Sequence, residues 1–84
     1  MKVTNVFLNK NQKGTIKGTA VVSFNEGLNV RFAIVQGRNG IFASGPSVKG
    51  KNGQFYPQVE FNTREEHDIL SKAVEEAYEA KSAA

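Results

Sequence analysis

Two lysines separated by one glycine, in Ser47-Val48-Lys49-Gly50-Lys51-Asn52-Gly53, are the side chains best placed to do chemistry in this sequence. Lysines on a turn neutralise phosphates without reading bases, glycines leave backbone N–H groups accessible, and Ser47 and Asn52 offer neutral hydrogen bonds. That chemistry is the holding of a polyanion, with no bond made or broken. A second reading of the same residues is a hairpin tip whose lysines keep one end of a sheet solvated.

Catalysis finds little to use. His67 is the single histidine and there is no cysteine, so neither a Cys-His nucleophile pair nor a multi-histidine metal site can be assembled from one chain. Beside Asp68, in the first turns of a helix, His67 reads as a partly exposed surface residue. Glu65-Glu66 suits the positive end of that helix, and Glu75-Glu76 suits a solvated face. The glycines at 37, 40, 45, 50 and 53 mark turns and match no phosphate-loop spacing. We therefore expect no catalytic residue, metal ligand, cofactor or small-molecule substrate, and no enzyme.

Charge supports a polyanion. Residues 1–58 hold eight lysines and arginines against Glu26, a net +7, while residues 59–84 hold three against seven carboxylates, a net −4. Such asymmetry either draws an anionic partner to the basic part or reflects internal complementarity between the two parts. With 84 residues the chain forms one domain, 1–84, that buries only about 60% of its unfolded surface, so a partner subunit would add useful burial. No apolar run approaches the roughly 20 residues that span a bilayer, and Met1-Lys2-Val3 enters a strand with no leader-like apolar core. A cytoplasmic protein that makes no membrane contact is expected.

These side chains need elements to position them. Val3 to Leu8 is rich in β-branched and aromatic residues, Ile16, Gly18, Ala20, Val22 and Phe24 alternate with Lys17, Thr19, Val21 and Ser23, and Leu28, Val30, Phe32 and Ile34 alternate with Asn29, Arg31, Ala33 and Val35. Asn39-Gly40 suits a type I′ hairpin turn, Pro46 ends the strand that follows, and Asn52-Gly53 marks another turn. Phe55, Val59 and Phe61 then alternate on a fifth strand that Pro57 marks as an edge or bulge. Thr63 and Glu66 form a capping box for a helix whose apolar stripe is Ile69, Leu70, Ala73, Val74, Ala77 and Tyr78. The residues from Ala80 to Ala84 are expected to fray.

The predicted fold is α+β, an antiparallel five-stranded β meander followed by one C-terminal α-helix packed on one face. Strands are expected over about 2–9, 15–24, 28–36, 40–45 and 54–61, with the helix over about 63–80. The uncovered face would carry Lys17, Thr19, Ser23, Asn29, Arg31 and Tyr56, with Val21 and Val35 as apolar spots, and Arg31 and Tyr56 could stack on bases. Alternating turns would place 10–14 and 37–40 at the same end as the helix start. Lys10, Lys13, Arg38 and Arg64 would then gather near the positive end of the helix dipole, with Lys49 and Lys51 at the other end near Glu26.

Val3-Thr4-Asn5-Val6, Gly40-Ile41-Phe42-Ala43-Ser44-Gly45-Pro46-Ser47, the basic turn, Gly53-Gln54-Phe55 and the Thr63-Arg64 to Ala73-Val74 to Tyr78 helix together resemble the septation-regulator SpoVG family over nearly the whole chain. The resemblance implies a small cytoplasmic bacterial homodimer that binds DNA and sometimes RNA, a transcription regulator linked to septation and sporulation. Its basic positions after the Pro-Ser step correspond to Lys49 and Lys51, and its helix-opening arginine to Arg64. The chain departs from the pattern at Gly45, at Val48 where a basic residue is usual, and in the shorter stretch Tyr56 to Asn62, which bears on DNA sequence preference.

The combined expectation is a nucleic-acid-binding regulator gripping the phosphate backbone through Lys49 and Lys51, with Ser47, Asn52, Arg64, Lys10, Lys13 and Arg38 as further contacts. The alternative is a protein-interaction module in which the open face or an edge strand recruits another protein.

Overall fold

The computed structural model describes residues 1–25 and 27–83, so Glu26 in the turn after the second strand and Ala84 in the tail lie outside the described residues. Four strands, β1 (Lys2–Leu8), β2 (Ile16–Phe24), β3 (Leu28–Gly37) and β4 (Gly40–Ser44), form one antiparallel sheet in the order β1-β2-β3-β4. Two short strands, β5 (Ser47–Lys49) and β6 (Phe55–Pro57), pair with each other in a separate hairpin, and α1 (Arg64–Ala83) closes the chain.

The period-2 pattern sets the burial. Ala20 and Val22 from β2, Phe32 and Ile34 from β3, Val6 from β1 and Ala43 from β4 point to one face and are buried with Leu70 and Val74 of the helix. Phe24 and Phe61 flank Phe32, with ring centroids 6.4 and 6.1 Å from it. Gly18 is buried where β1 crosses closest. A Cβ there would collide with the Phe7 carbonyl oxygen, so the close pairing of β1 with β2 at this point depends on a residue without a side chain.

Several expectations are corrected. The fifth strand does not exist as one piece. Ser47-Val48-Lys49, expected as turn, pairs with Phe55-Tyr56-Pro57, because the loop between them closes on itself (Gly50 N–H to the Gln54 carbonyl, 2.7 Å; Gly53 N–H to the Gly50 carbonyl, 3.0 Å). Pro46 ends pairing along β4 as expected, and the hairpin leaves the sheet there. Of the inward set expected on the fifth strand, Val59 and Phe61 pack against the core, whereas Phe55 is exposed.

The turn between β3 and β4 is not type I′. Gly37 pairs with Gly40, leaving Arg38 and Asn39 in the centre, and neither has positive φ; Gly40 takes it instead, at φ 123°. In the helix, Ser71 replaces Ile69 in the buried set, Ile69 being 62% exposed. The hydroxyl of Ser71 accepts the Ala43 N–H (3.1 Å), which turns that helical ridge toward the edge of β4. The helix also runs on to Ala83 instead of fraying from Ala80. Thr63 caps it as expected, its Oγ1 accepting the Glu66 N–H at 3.2 Å.

The helix crosses the sheet so that its start and its later turns serve opposite ends. Glu66 and Ile69 border a groove with Met1, Phe24 and Phe61, while the Tyr78 hydroxyl donates to Gln12 Oε1 (2.8 Å) in the loop between β1 and β2. None of the helices among the described residues is long and apolar enough to cross a membrane.

Candidate functional site

The hairpin loop is built by its sequence. Lys51 and Asn52 are the central residues of a turn from Gly50 to Gly53, and Gly53 follows at φ 83°, a conformation that glycine adopts without steric cost. The Asn52 side chain locks this loop: its Oδ1 accepts the Gln54 N–H (3.1 Å) and its Nδ2 donates to the Tyr56 hydroxyl (2.9 Å). Asn52 is thereby engaged within the hairpin. Tyr56 is not on the open face of the sheet; its ring lies over Gly50, where a Cβ would come within 2.5 Å of it.

Lys49 and Lys51 are exposed, as is Ser47, and residues 47–57 contain no carboxylate. Among the described residues no lysine or arginine lies within salt-bridge distance of a carboxylate. The two ammonium groups at the hairpin are therefore available to an outside anion. Register places Lys49 opposite Phe55, and Val48 opposite Tyr56, so lysine and phenylalanine share one face of the hairpin. Its alternation with Val59 and Phe61 places Phe55 on the apolar side of a fifth strand, and the signal against that is its position directly after Asn52-Gly53-Gln54, inside a hairpin too short to reach the sheet.

The second basic group divides. The loops after β1 and β3 do share one end of the sheet, the Gln36 N–H donating to the Thr15 carbonyl at 2.8 Å. The helix start is not there. Tyr78 and Glu75 meet that end, Glu75 Oε2 lying 3.3 Å from a Cβ placed on Gly40, and Tyr78 is fourteen residues on from Arg64, or about 21 Å along a helix. Lys10 and Lys13 thus stand by the later helical turns. Arg38 and Arg64 do line one groove of about 460 Å³ along the edge of β4, with His67 and Asp68 in its wall. Asp68 offsets part of the positive charge there.

His67 is a joint more than a surface residue. Its Nε2 donates to the Ala43 carbonyl (2.9 Å), since a carbonyl can only accept, and its ring meets Phe61 edge-on at 5.3 Å. No group of three or more histidine, cysteine or carboxylate side chains is gathered as a metal site among the described residues.

On the uncovered face Phe7 (49% exposed) and Phe42 (38%) bracket Ala33 and Val35, and the Arg31 guanidinium lies 5.9 Å from the centre of the Phe7 ring. Arg31 is on that face as expected, already stacked on an aromatic ring of its own chain.

Comparison with known proteins matches residues 1–80 to the SpoVG family model. A Caldicellulosiruptor bescii protein named "Putative septation protein SpoVG" is 35% identical over 82 residues, covering 95% of this chain and 93% of that relative. A Symbiobacterium thermophilum protein with the same name is 38% identical over 82 residues, which are 95% of this chain and 59% of that longer relative.

Proposed function

This chain belongs to the SpoVG family, and from that premise we propose that it is a small cytoplasmic regulatory protein that binds DNA, and also RNA, without catalysing a reaction. It grips the phosphate backbone through Lys49 and Lys51 of the β5–β6 hairpin, with Ser47 beside them and Arg38 and Arg64 as a second contact along the groove at β4. Lys10 and Lys13 add charge at the far end of the sheet. Asn52 acts by holding the loop in shape. The carrying observation is the hairpin itself: two lysines with no carboxylate partner among the described residues, at a loop fixed by its own hydrogen bonds, in a segment free of carboxylates. The relatives' names point to septation as the process served.

The working form is a homodimer. The exposed rings of Phe7 and Phe42 on the uncovered face support that part of the reading, since a second copy would remove them from water. The same face favours the alternative, a protein-interaction module in which the lysines are bystanders.

Fluorescence anisotropy with labelled duplex DNA, single-stranded DNA and RNA across a salt series separates the two. Affinity should fall with salt at a slope of about 0.9 per phosphate neutralised on duplex, and Lys49→Ala/Lys51→Ala should reduce that slope by about 2. If the wild-type protein binds none of the three at low salt, the nucleic-acid reading is wrong and the open face becomes the site to pursue.

A further inference from the structure

We propose that Phe55 is a stacking platform for an unpaired base, so that the β5–β6 hairpin takes single-stranded nucleic acid in preference to duplex. This rests on the reading of the hairpin as the phosphate-holding element and names the class of ligand it holds. Phe55 is 67% exposed, more than any other large hydrophobic side chain among the described residues.

The two aromatic residues of β6 are used differently. Tyr56 is committed to its own loop, its ring over Gly50 and its hydroxyl accepting from Asn52. Phe55 points to the opposite face, across from Lys49, and the hairpin pairs only with itself. The backbone pairing fixes where Phe55 stands relative to Lys49, so little backbone ordering is left to do when a ligand arrives.

An exposed aromatic ring directly across a strand pair from a lysine is the arrangement that single-strand binding uses, a base on the ring and a phosphate on the ammonium. Every base has a π-face, so the contact tolerates any sequence. In a duplex those faces are covered by neighbouring base pairs, and the ring has nothing to stack on, whereas the lysines work equally on either form. Lys49 and Lys51, with no carboxylate between residues 47 and 57, favour a polyanion on this face over an apolar partner surface.

The test measures anisotropy with a short labelled oligothymidine and a short labelled duplex, using wild type, Phe55→Leu, Phe55→Tyr and Lys49→Ala/Lys51→Ala. Thermal unfolding and sedimentation are followed in parallel. Leucine keeps an apolar residue opposite Lys49 and removes only the π-face.

Phe55→Leu should weaken single-strand binding by about tenfold with the salt slope unchanged, leave duplex binding within about twofold, and be rescued by Phe55→Tyr. Equal weakening on single strand and duplex, or no weakening on either while the lysine variant loses both, would overturn the stacking role and leave the backbone contact standing. Loss of a dimer on Phe55→Leu with nucleic-acid binding intact would overturn it in favour of a second copy as the occupant. Absence of any wild-type binding would overturn both this proposal and the reading beneath it.

Discussion

The four-stranded sheet and the β5–β6 hairpin draw on similar residues and are held by different means. In the sheet, alternate residues in the middle of β2 and β3 are buried in the core, and Phe32, Ile34 and Val22 are completely buried. In the hairpin all six strand residues are exposed, and its shape comes from the loop hydrogen bonds and the Asn52 side chain. An aromatic residue therefore stabilises the fold at position 32 and is free for other work at position 55. Burial, not residue type, decides which.

Changes in the sheet should cost stability and changes in the hairpin should cost binding. Phe32→Ala should have the largest effect, about 3–5 kcal/mol from lost burial and the cavity left behind, a large part of the total stability of a small domain. Urea unfolding followed by circular dichroism would read it. Ser71→Ala should cost about 1–3 kcal/mol in the same assay, because the Ala43 N–H loses its acceptor at a buried position. Thr63→Ala should cost about 1 kcal/mol by removing the helix cap. At the bottom of the scale, Lys49→Ala/Lys51→Ala should shift stability by no more than about 0.5 kcal/mol while flattening the salt dependence of binding. A lysine variant that unfolds as readily as Ser71→Ala would break the comparison, by showing that hairpin and sheet fold as one unit.

The strands of the sheet were readable because one-sided burial writes alternation into the sequence, as at Ala20, Val22, Phe32 and Ile34. The hairpin is not readable in this way, since an exposed strand carries no such alternation, and Ser47-Val48-Lys49 has the composition of a turn but is made a strand by the closure from Gly50 to Gln54. Likewise the helix cap could be read from Thr63 and Glu66, but the line along which the helix crosses the sheet could not. That line depends on which side chains dock, and one of them is Ser71, a polar residue that no apolar pattern would select. It separates Lys10 and Lys13 from Arg64 and leaves Arg38 and Arg64 lining one groove along β4. The basic residues of the proposed interface were all visible; their grouping was a tertiary property.

The bonds from Ser71 and His67 to Ala43 have a consequence beyond anchoring the helix. Ala43 is on the outermost strand, and its N–H and carbonyl are both occupied by helix side chains. At the other outermost strand the Val6 N–H is taken by Asn5 Oδ1 at 2.9 Å, next to a break in register. An incoming chain seeking to extend the sheet must break these bonds before it can form its own, which blunts both borders as templates for amyloid-type growth.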